Sequence, residues 1–140
     1  MLLGVVSDTH GQTDYTLDAV RMLESLEVDA VLHCGDVGSA EVVRLFKPWP
    51  THFVLGNVDD AATIRHAVAD CGQSFHDRYG ELELAGVRIA LLHGDDGRND
   101  ADAHFREAEF GVGHRNGDVA SADDPQPAGK CRAVDGRNYR

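Results

Sequence analysis

The chain has 140 residues, which is the size of a single domain with one hydrophobic core. Its hydrophobic fraction of 42% is that of a globular protein, and no apolar run approaches the roughly 20 residues of a membrane span, so we expect a cytoplasmic protein without a membrane partner. Thirteen basic and 24 acidic residues give a net charge of −11, which argues against strong nucleic-acid binding.

The first half of the chain alternates short apolar runs with helical patterns. Three aliphatic runs predict buried parallel strands, and three segments with apolar residues at helical spacing predict helices. This alternation predicts an α/β fold with a parallel sheet and right-handed crossovers. The predicted strands are Leu2–Val6, Ala30–His33 and His52–Leu55. The predicted helices are Asp14–Glu27 (with Val20, Leu23 and Leu26 at the helical spacing of an inward face), Ser39–Phe46 (with Ser39 as its N-cap) and a segment capped by Asp60.

The second half has a different pattern. Glu81–Leu84 alternates strictly, Ala85-Gly86 favours a turn and Val87–Leu92 is mostly apolar, so these residues predict a β-hairpin. From residue 111 to residue 140 the periodicity is lost, which is typical of a loop or of disorder. We therefore expect one folded domain over residues 1–110, followed by an atypical segment over residues 111–140.

Residues that can bind metal ions follow the apolar runs. Because binding sites of open α/β sheets lie beyond the carboxyl ends of the strands, we expect these residues to share one pocket. A two-metal site needs a bridging carboxylate with imidazole and amide or carboxylate ligands, a mixture that suits Mn, Fe, Zn or Ni. Each motif alone is weak, but the ordered set is a strong signal. The clusters are Asp8-Thr9-His10-Gly11, Gly35-Asp36-Val37, Gly56-Asn57-Val58-Asp59 and His93-Gly94-Asp95-Asp96.

These four motifs resemble the successive signatures of the calcineurin-like metallophosphoesterase superfamily, and their close spacing resembles its small YfcE-type phosphodiesterase branch. The resemblance implies a sandwich of two mixed β-sheets flanked by helices, with the second sheet incomplete in this chain. It also implies two divalent metal ions, with manganese the first choice and Fe, Zn, Ni or Mg as alternatives. In that arrangement Asp8 and His10 hold the first ion, Asp36 bridges, and Asn57 and His93 hold the second.

The family's closing Gly-His-x-His motif is not present in clear form. In Gly113-His114-Arg115-Asn116, His114 is a candidate for the first histidine, and a solvated loop histidine is the alternative. The altered end leaves open a catalytically impaired or non-catalytic protein of the same fold, either a scaffold or a truncated or frameshifted remnant. We expect the other histidines to be structural or surface residues: His33, His52, His66, His76 and His104. His33 precedes Gly35-Asp36 closely enough to support a metal ligand, but we do not expect it to bind the metal itself.

The function implied by the resemblance is phosphodiester hydrolysis by a metal-bridging hydroxide, and the partner expected is a small phosphodiester or phosphoester substrate. Asp36, Asn57 and Asp59 are the candidate catalytic residues, with Asp59 orienting His10 or another ligand, or acting as a turn or helix-cap residue. Some relatives carry a proton-donating histidine after the asparagine; here Val58 takes that position, which favours good leaving groups. The oligomeric state is left open, with a homo-oligomer among the options.

Overall fold

The computed structural model describes residues 1–94, so the predicted atypical segment and His114 lie outside the described residues. A four-stranded parallel sheet, whose strands lie in the order in which they occur along the chain, is accompanied by three helices and by a separate antiparallel pair of strands. None of the helices in this part of the chain is long and apolar enough to cross a membrane. The elements are β1 (Leu3–Val6), α1 (Thr13–Ser25), β2 (Ala30–Cys34), α2 (Ala40–Leu45), β3 (Thr51–Val54), α3 (Ala61–Asp70), β4 (Ser74–Phe75), β5 (Tyr79–Leu84) and β6 (Val87–Leu92).

The parallel sheet is covered on both faces. All five residues of β2 are buried, and alternate side chains enter two different cores. Val31 packs in the core that contains Phe46, just after α2, and Ile64 of α3, whereas Leu32 packs with Leu91 of the hairpin. A strand that is buried on both faces favours apolar residues throughout, which is why β2 is apolar except for His33.

The expected α/β architecture, with two sheets and flanking helices, is confirmed. Between residues 1 and 94 the first sheet is wholly parallel and the second is an antiparallel pair. Two predicted helix caps are also confirmed, since Ser39 Oγ accepts a hydrogen bond from Val42 N and Asp60 Oδ2 accepts one from Thr63 N. These caps fix where α2 and α3 begin, and so where the loops that precede them end.

Two details of the sequence prediction are wrong. Leu26 does not face inward: it is 54% exposed, because α1 ends at Ser25 and the chain turns through Glu27, whose φ is 52°. The strand β4 is missing from the prediction because it has only two residues, too few to show a period.

The hairpin turn is formed by Ala85 and Gly86, and both residues have positive φ, 52° and 76°. Two consecutive residues of this kind are typical of the type I′ turn, which matches the right-handed twist of the strands. Glycine adopts this conformation without strain, but an alanine side chain is strained by it.

We therefore expect Ala85→Asn to raise the free energy of unfolding by about 0.5–1 kcal/mol, because asparagine tolerates the left-handed conformation better than alanine. Gly86→Ala should lower the free energy of unfolding by a similar amount. Nothing lies within 4 Å of a Cβ added at Gly86, so only the backbone strain is tested there. Urea denaturation of both variants measures the two changes, and equal stability of all three proteins would contradict this account of the turn.

Candidate metal centre

The first two ligand loops are joined by backbone hydrogen bonds that continue beyond the ends of β1 and β2. Asp8 N donates to Gly35 O at 3.1 Å, His10 N to Asp36 O at 2.8 Å and Gly11 N to Val37 O at 2.9 Å. The loops that follow the two parallel strands therefore stay in register. As a result, the side chains of Asp8, His10 and Asp36 leave the backbone at the same end of the sheet.

Three of the predicted ligands have a left-handed backbone. The φ angles are 57° for Asp8, 46° for His10 and 52° for Asp36. Aspartate and histidine tolerate this region better than most residues, yet each such residue typically costs about 1–3 kcal/mol. Backbone strain of this kind is common at functional sites, where it directs a side chain that a regular strand or helix would point elsewhere.

The carboxylate of Asp36 lies at the centre of the predicted ligands. Its Oδ2 is 3.6 Å from His10 Nε2 and 3.3 Å from His93 Nε2, and His10 Nε2 is also 3.6 Å from Asp8 Oδ1. Ligand atoms of Asp8, Asp36 and His93 lie within 4.8 Å of one another. The side chains of Asp36 and His93 are buried, whereas that of His10 is 46% exposed, so the cluster opens to solvent on the His10 side.

The orientation of His93 fits a metal ligand. Its Nδ1 lies 2.7 Å from Cys34 O, and a carbonyl oxygen can only accept, so Nδ1 carries the proton and donates it. In the neutral ring the lone pair is then on Nε2, which is the nitrogen that faces Asp36 Oδ2. A hydrogen bond from the second ring nitrogen to a backbone carbonyl is the usual support of a metal-binding histidine. This donor set of two carboxylates and two imidazoles fits a divalent transition-metal ion.

Asn57 lies on the loop after β3, between two residues that contact Asp36. Val58 N donates to Asp36 Oδ1 at 3.2 Å, and a Cβ added at Gly56 would overlap with the same oxygen. Only glycine therefore lets this loop approach the carboxylate. The side chain of Asn57 is exposed. The structure thus brings Asp8, His10, Asp36 and His93 together, and it brings the backbone on both sides of Asn57 against them.

A model of the calcineurin-like phosphoesterase superfamily domain matches residues 1–116 of this chain. The chain belongs to this superfamily. The resemblance of the four strand-end motifs to the superfamily is thereby confirmed.

Two curated relatives come from Methanocaldococcus jannaschii. A probable metallophosphoesterase is 31% identical over 97 residues, which cover 68% of this chain and 44% of that protein. A phosphodiesterase is 24% identical over 98 residues, which cover 67% of this chain and 59% of that protein. The chain therefore spans about half the length of these relatives.

Two solved structures share the fold. A novel archaeal phosphodiesterase superposes with a TM-score of 0.67 at 21% identity, covering 77% of this chain and 67% of the other. The phosphoesterase YfcE of E. coli superposes with a TM-score of 0.53 at 20% identity, covering 67% of this chain and 58% of the other. At these identities the likeness shows the fold alone.

Within this calcineurin-like site, Asp59 joins two ligand loops. Its Oδ1 accepts from Gly38 N at 2.7 Å and its Oδ2 accepts from Gly56 N at 2.9 Å. One carboxylate thus connects the loop that carries Asp36 to the loop that carries Asn57. The cap of α3 is the next residue, Asp60, so the helix-cap alternative for Asp59 does not apply.

A buried contact joins Thr9 to His33, a residue whose position before Gly35 and Asp36 predicted that it could support a ligand without binding the metal itself. His33 is fully buried, which makes it a structural residue as expected. Its Nε2 lies 3.0 Å from Oγ1 of Thr9, and Thr9 is the residue between Asp8 and His10 in the sequence. Burial lowers the pKa of His33 to about 4, although the negative charges of Asp59 and Asp8 act in the opposite direction. The sequence signal was the position of His33, two residues before Gly35.

We expect Asp59→Asn to lower the free energy of unfolding by about 1 kcal/mol and to weaken metal binding, because an amide has one accepting oxygen and would turn its NH₂ group towards a backbone donor. Asp60→Asn is the matched control: it removes the same charge one residue away, and asparagine caps a helix as well as aspartate does. Thermal unfolding and Mn²⁺ titration compare the two, and equal behaviour of both variants would contradict the role given to Asp59.

The lowered pKa of His33 predicts a pH dependence of stability. Between pH 6.5 and about 4 the unfolded chain binds a proton on His33 that the folded chain does not, so the free energy of unfolding falls as the pH falls through this window. The contribution is up to about 3 kcal/mol. His33→Gln should flatten the profile, whereas His66→Gln should not, because His66 is 81% exposed. Urea denaturation at several pH values measures this, and profiles of the same steepness for His33→Gln and the unchanged protein would refute it.

Proposed function

We propose that this chain is a metal-dependent phosphodiesterase with a dinuclear centre, for which manganese is the first candidate metal. The observation that supports this best is the position of the Asp36 carboxylate, whose Oδ2 lies 3.6 Å from His10 Nε2 and 3.3 Å from His93 Nε2. A carboxylate shared by two sets of donors is what a pair of ions roughly 3.5–4 Å apart requires. The superfamily membership and the phosphodiesterase name of one relative point the same way.

The proposed roles of the residues follow from their positions. Asp8 and His10 would hold one ion with Asp36, and Asp36 would hold the other with Asn57 and His93. Two divalent ions bound there supply charge stabilisation at the phosphoryl oxygens and a water of lowered pKa. The burial of Asp36 and His93 keeps bulk water from one side of the cluster, while the exposed side of His10 leaves room for a small phosphoester.

The proposed preference for good leaving groups, such as those of aryl diesters, rests on Val58. This residue takes the position after Asn57, its side chain is 53% exposed, and it has no group that can protonate a leaving oxygen. Its backbone N–H is already engaged by Asp36 Oδ1. Esters with aryl or nucleotide leaving groups do not depend on such an acid, whereas simple alkyl monoesters do.

The rest of the proposal concerns residues outside the described part of the chain. We keep His114 as the candidate ligand from the C-terminal side, and residues 1–110 as the folded domain. The family match reaches residue 116 and therefore includes His114.

The test counts metal ions first and activity second. We expect about two Mn²⁺ ions per chain after loading and removal of excess metal, and much faster hydrolysis of bis(p-nitrophenyl) phosphate than of a simple alkyl phosphate, which has a poor leaving group. Asp36→Asn should lose both ions and at least about 100-fold of the diesterase activity, because it removes the shared charge. Asp18→Asn is the control, since this exposed carboxylate pairs with Arg21 on the surface of α1.

Two outcomes would contradict the proposal. A folded protein that binds no Mn²⁺, Zn²⁺ or Fe²⁺ would mean that the donor set is not a metal centre. A protein that binds two ions but hydrolyses neither ester would fit a non-catalytic member of the superfamily.

A further inference from the structure

Thr9 is the residue between the two ligands Asp8 and His10, and its side chain points into the core. Its Oγ1 lies 3.1 Å from Val37 O, 3.5 Å from Asp36 O and 3.0 Å from His33 Nε2. Both carbonyls can only accept, so the single hydroxyl hydrogen of Thr9 is donated to a carbonyl, with Val37 O the nearer one. The hydroxyl oxygen must then accept from His33, which fixes the tautomer of His33 with its proton on Nε2.

This tautomer leaves the other ring nitrogen of His33 without a partner. Nδ1 is the one buried side-chain nitrogen or oxygen between residues 1 and 94 that makes no hydrogen bond. The ring packs against the rings of Phe46 and Phe53, each with its centroid 5.5 Å away. An apolar side chain would make these contacts without burying an unpaired nitrogen, which typically costs about 1–3 kcal/mol. Packing therefore explains why a ring is buried at this position, but not why the ring carries nitrogen atoms. The hydrogen bond to Thr9 explains the nitrogen atoms.

The segment that Thr9 anchors is the strained one. Asp8 and His10, on either side of it, have φ angles of 57° and 46°. The backbone hydrogen bonds of Asp8 N and His10 N connect this turn to the loop of Asp36. The buried Thr9 side chain connects it to the same loop from the core side, through Val37 O. If that anchor is lost, the turn can relax towards ordinary backbone angles, and the two ligand side chains then separate from Asp36.

We infer that His33 and Thr9 form a positioning pair, which holds Asp8 and His10 in the geometry that metal binding needs. Neither residue touches the metal or the substrate: His33 orients the Thr9 hydroxyl, and Thr9 fastens the ligand turn to the loop of Asp36. The part of this inference that concerns metal affinity rests on the metal centre proposed above.

The first test uses variants that keep or remove one hydrogen bond. Thr9→Val keeps the shape of the side chain but removes the hydroxyl, and we expect it to weaken Mn²⁺ binding by about 10- to 100-fold, as is typical when the support of a ligand is removed. Thr9→Ser keeps the hydroxyl and should bind Mn²⁺ within about threefold of the unchanged chain. Free Mn²⁺ measured by electron paramagnetic resonance gives these affinities.

The matched control is Thr51→Val. Thr51 is also buried, and its hydroxyl is likewise near two carbonyl oxygens, Phe46 O and Trp49 O, both at 3.2 Å. It lies at the amino end of β3, whereas the ligand loops lie at the carboxyl ends of the strands. Thr51→Val should therefore lower stability without changing Mn²⁺ affinity.

A second pair of variants tests His33. The side-chain nitrogen of glutamine can take the place of His33 Nε2, so His33→Gln should retain Mn²⁺ affinity, whereas His33→Leu should lose about as much as Thr9→Val. The readout that needs no metal is hydrogen exchange of the His10 amide, which donates to Asp36 O at 2.8 Å. In the metal-free protein, we expect this amide to exchange at least about tenfold faster in Thr9→Val and His33→Leu, because the turn opens more often.

The outcomes separate this inference from the proposed function. If the unchanged chain binds no metal, the proposed function fails, and faster exchange at His10 in the two variants still supports the positioning pair. If Thr9→Val and His33→Leu retain both the Mn²⁺ affinity and the His10 exchange rate of the unchanged chain, the positioning pair is refuted. A loss of affinity in Thr51→Val equal to that in Thr9→Val would also refute it, since the effect would then follow stability alone.

Discussion

The site depends on the carboxylate of Asp36 more than on any other group. Its Oδ1 accepts from Val58 N, and its Oδ2 faces His10 Nε2 and His93 Nε2. One buried side chain thus touches the loop after β3 and the two histidines that come from β1 and β6. The glycines around it follow from this arrangement, because a Cβ at Gly56 would overlap with the carboxylate. A different side chain at position 36 would lose these contacts, because both carboxylate oxygens of Asp36 have neighbours: Val58 N at Oδ1 and the two histidine nitrogens at Oδ2.

The strained backbone of the candidate ligands is held in place by the hydrogen bonds around it. Three ligands with positive φ would relax if they stood on a free loop. They persist because backbone bonds connect the first loop to the second, Asp59 connects the second to the third, and Thr9 anchors the first from the core. The strained residues are therefore fewer than the hydrogen bonds that hold them, which is the condition for strain to survive in a folded protein.

Much of this could be predicted from the sequence, for a physical reason. Buried strands and amphipathic helices have periods that a sequence displays directly, and the strand-end rule then placed Asp8, His10, Asp36 and His93 at one edge. What the sequence could not show were contacts without a period. The Thr9–His33 bond joins residues 24 positions apart, and Asp59 bonds to backbone groups, which any sequence provides. The end of α1 before Leu26 depends on a backbone turn at Glu27, where no glycine marks it.

The two sheets meet at the candidate metal centre, so the site and the stability of the fold are connected. Asp8 and Asp36 follow strands of the parallel sheet, while His93 follows β6 of the hairpin and donates to Cys34 O in the central strand. A two-stranded hairpin is marginal by itself, so its place on the sheet depends on the small core around Leu32 and Leu91 and on this hydrogen bond. An ion bound by ligands from both sheets would add a further link between them. Because binding to the folded state alone stabilises it by about 2.7 kcal/mol at a ligand concentration 100 times Kd, metal affinity and fold stability are linked in a chain built this way.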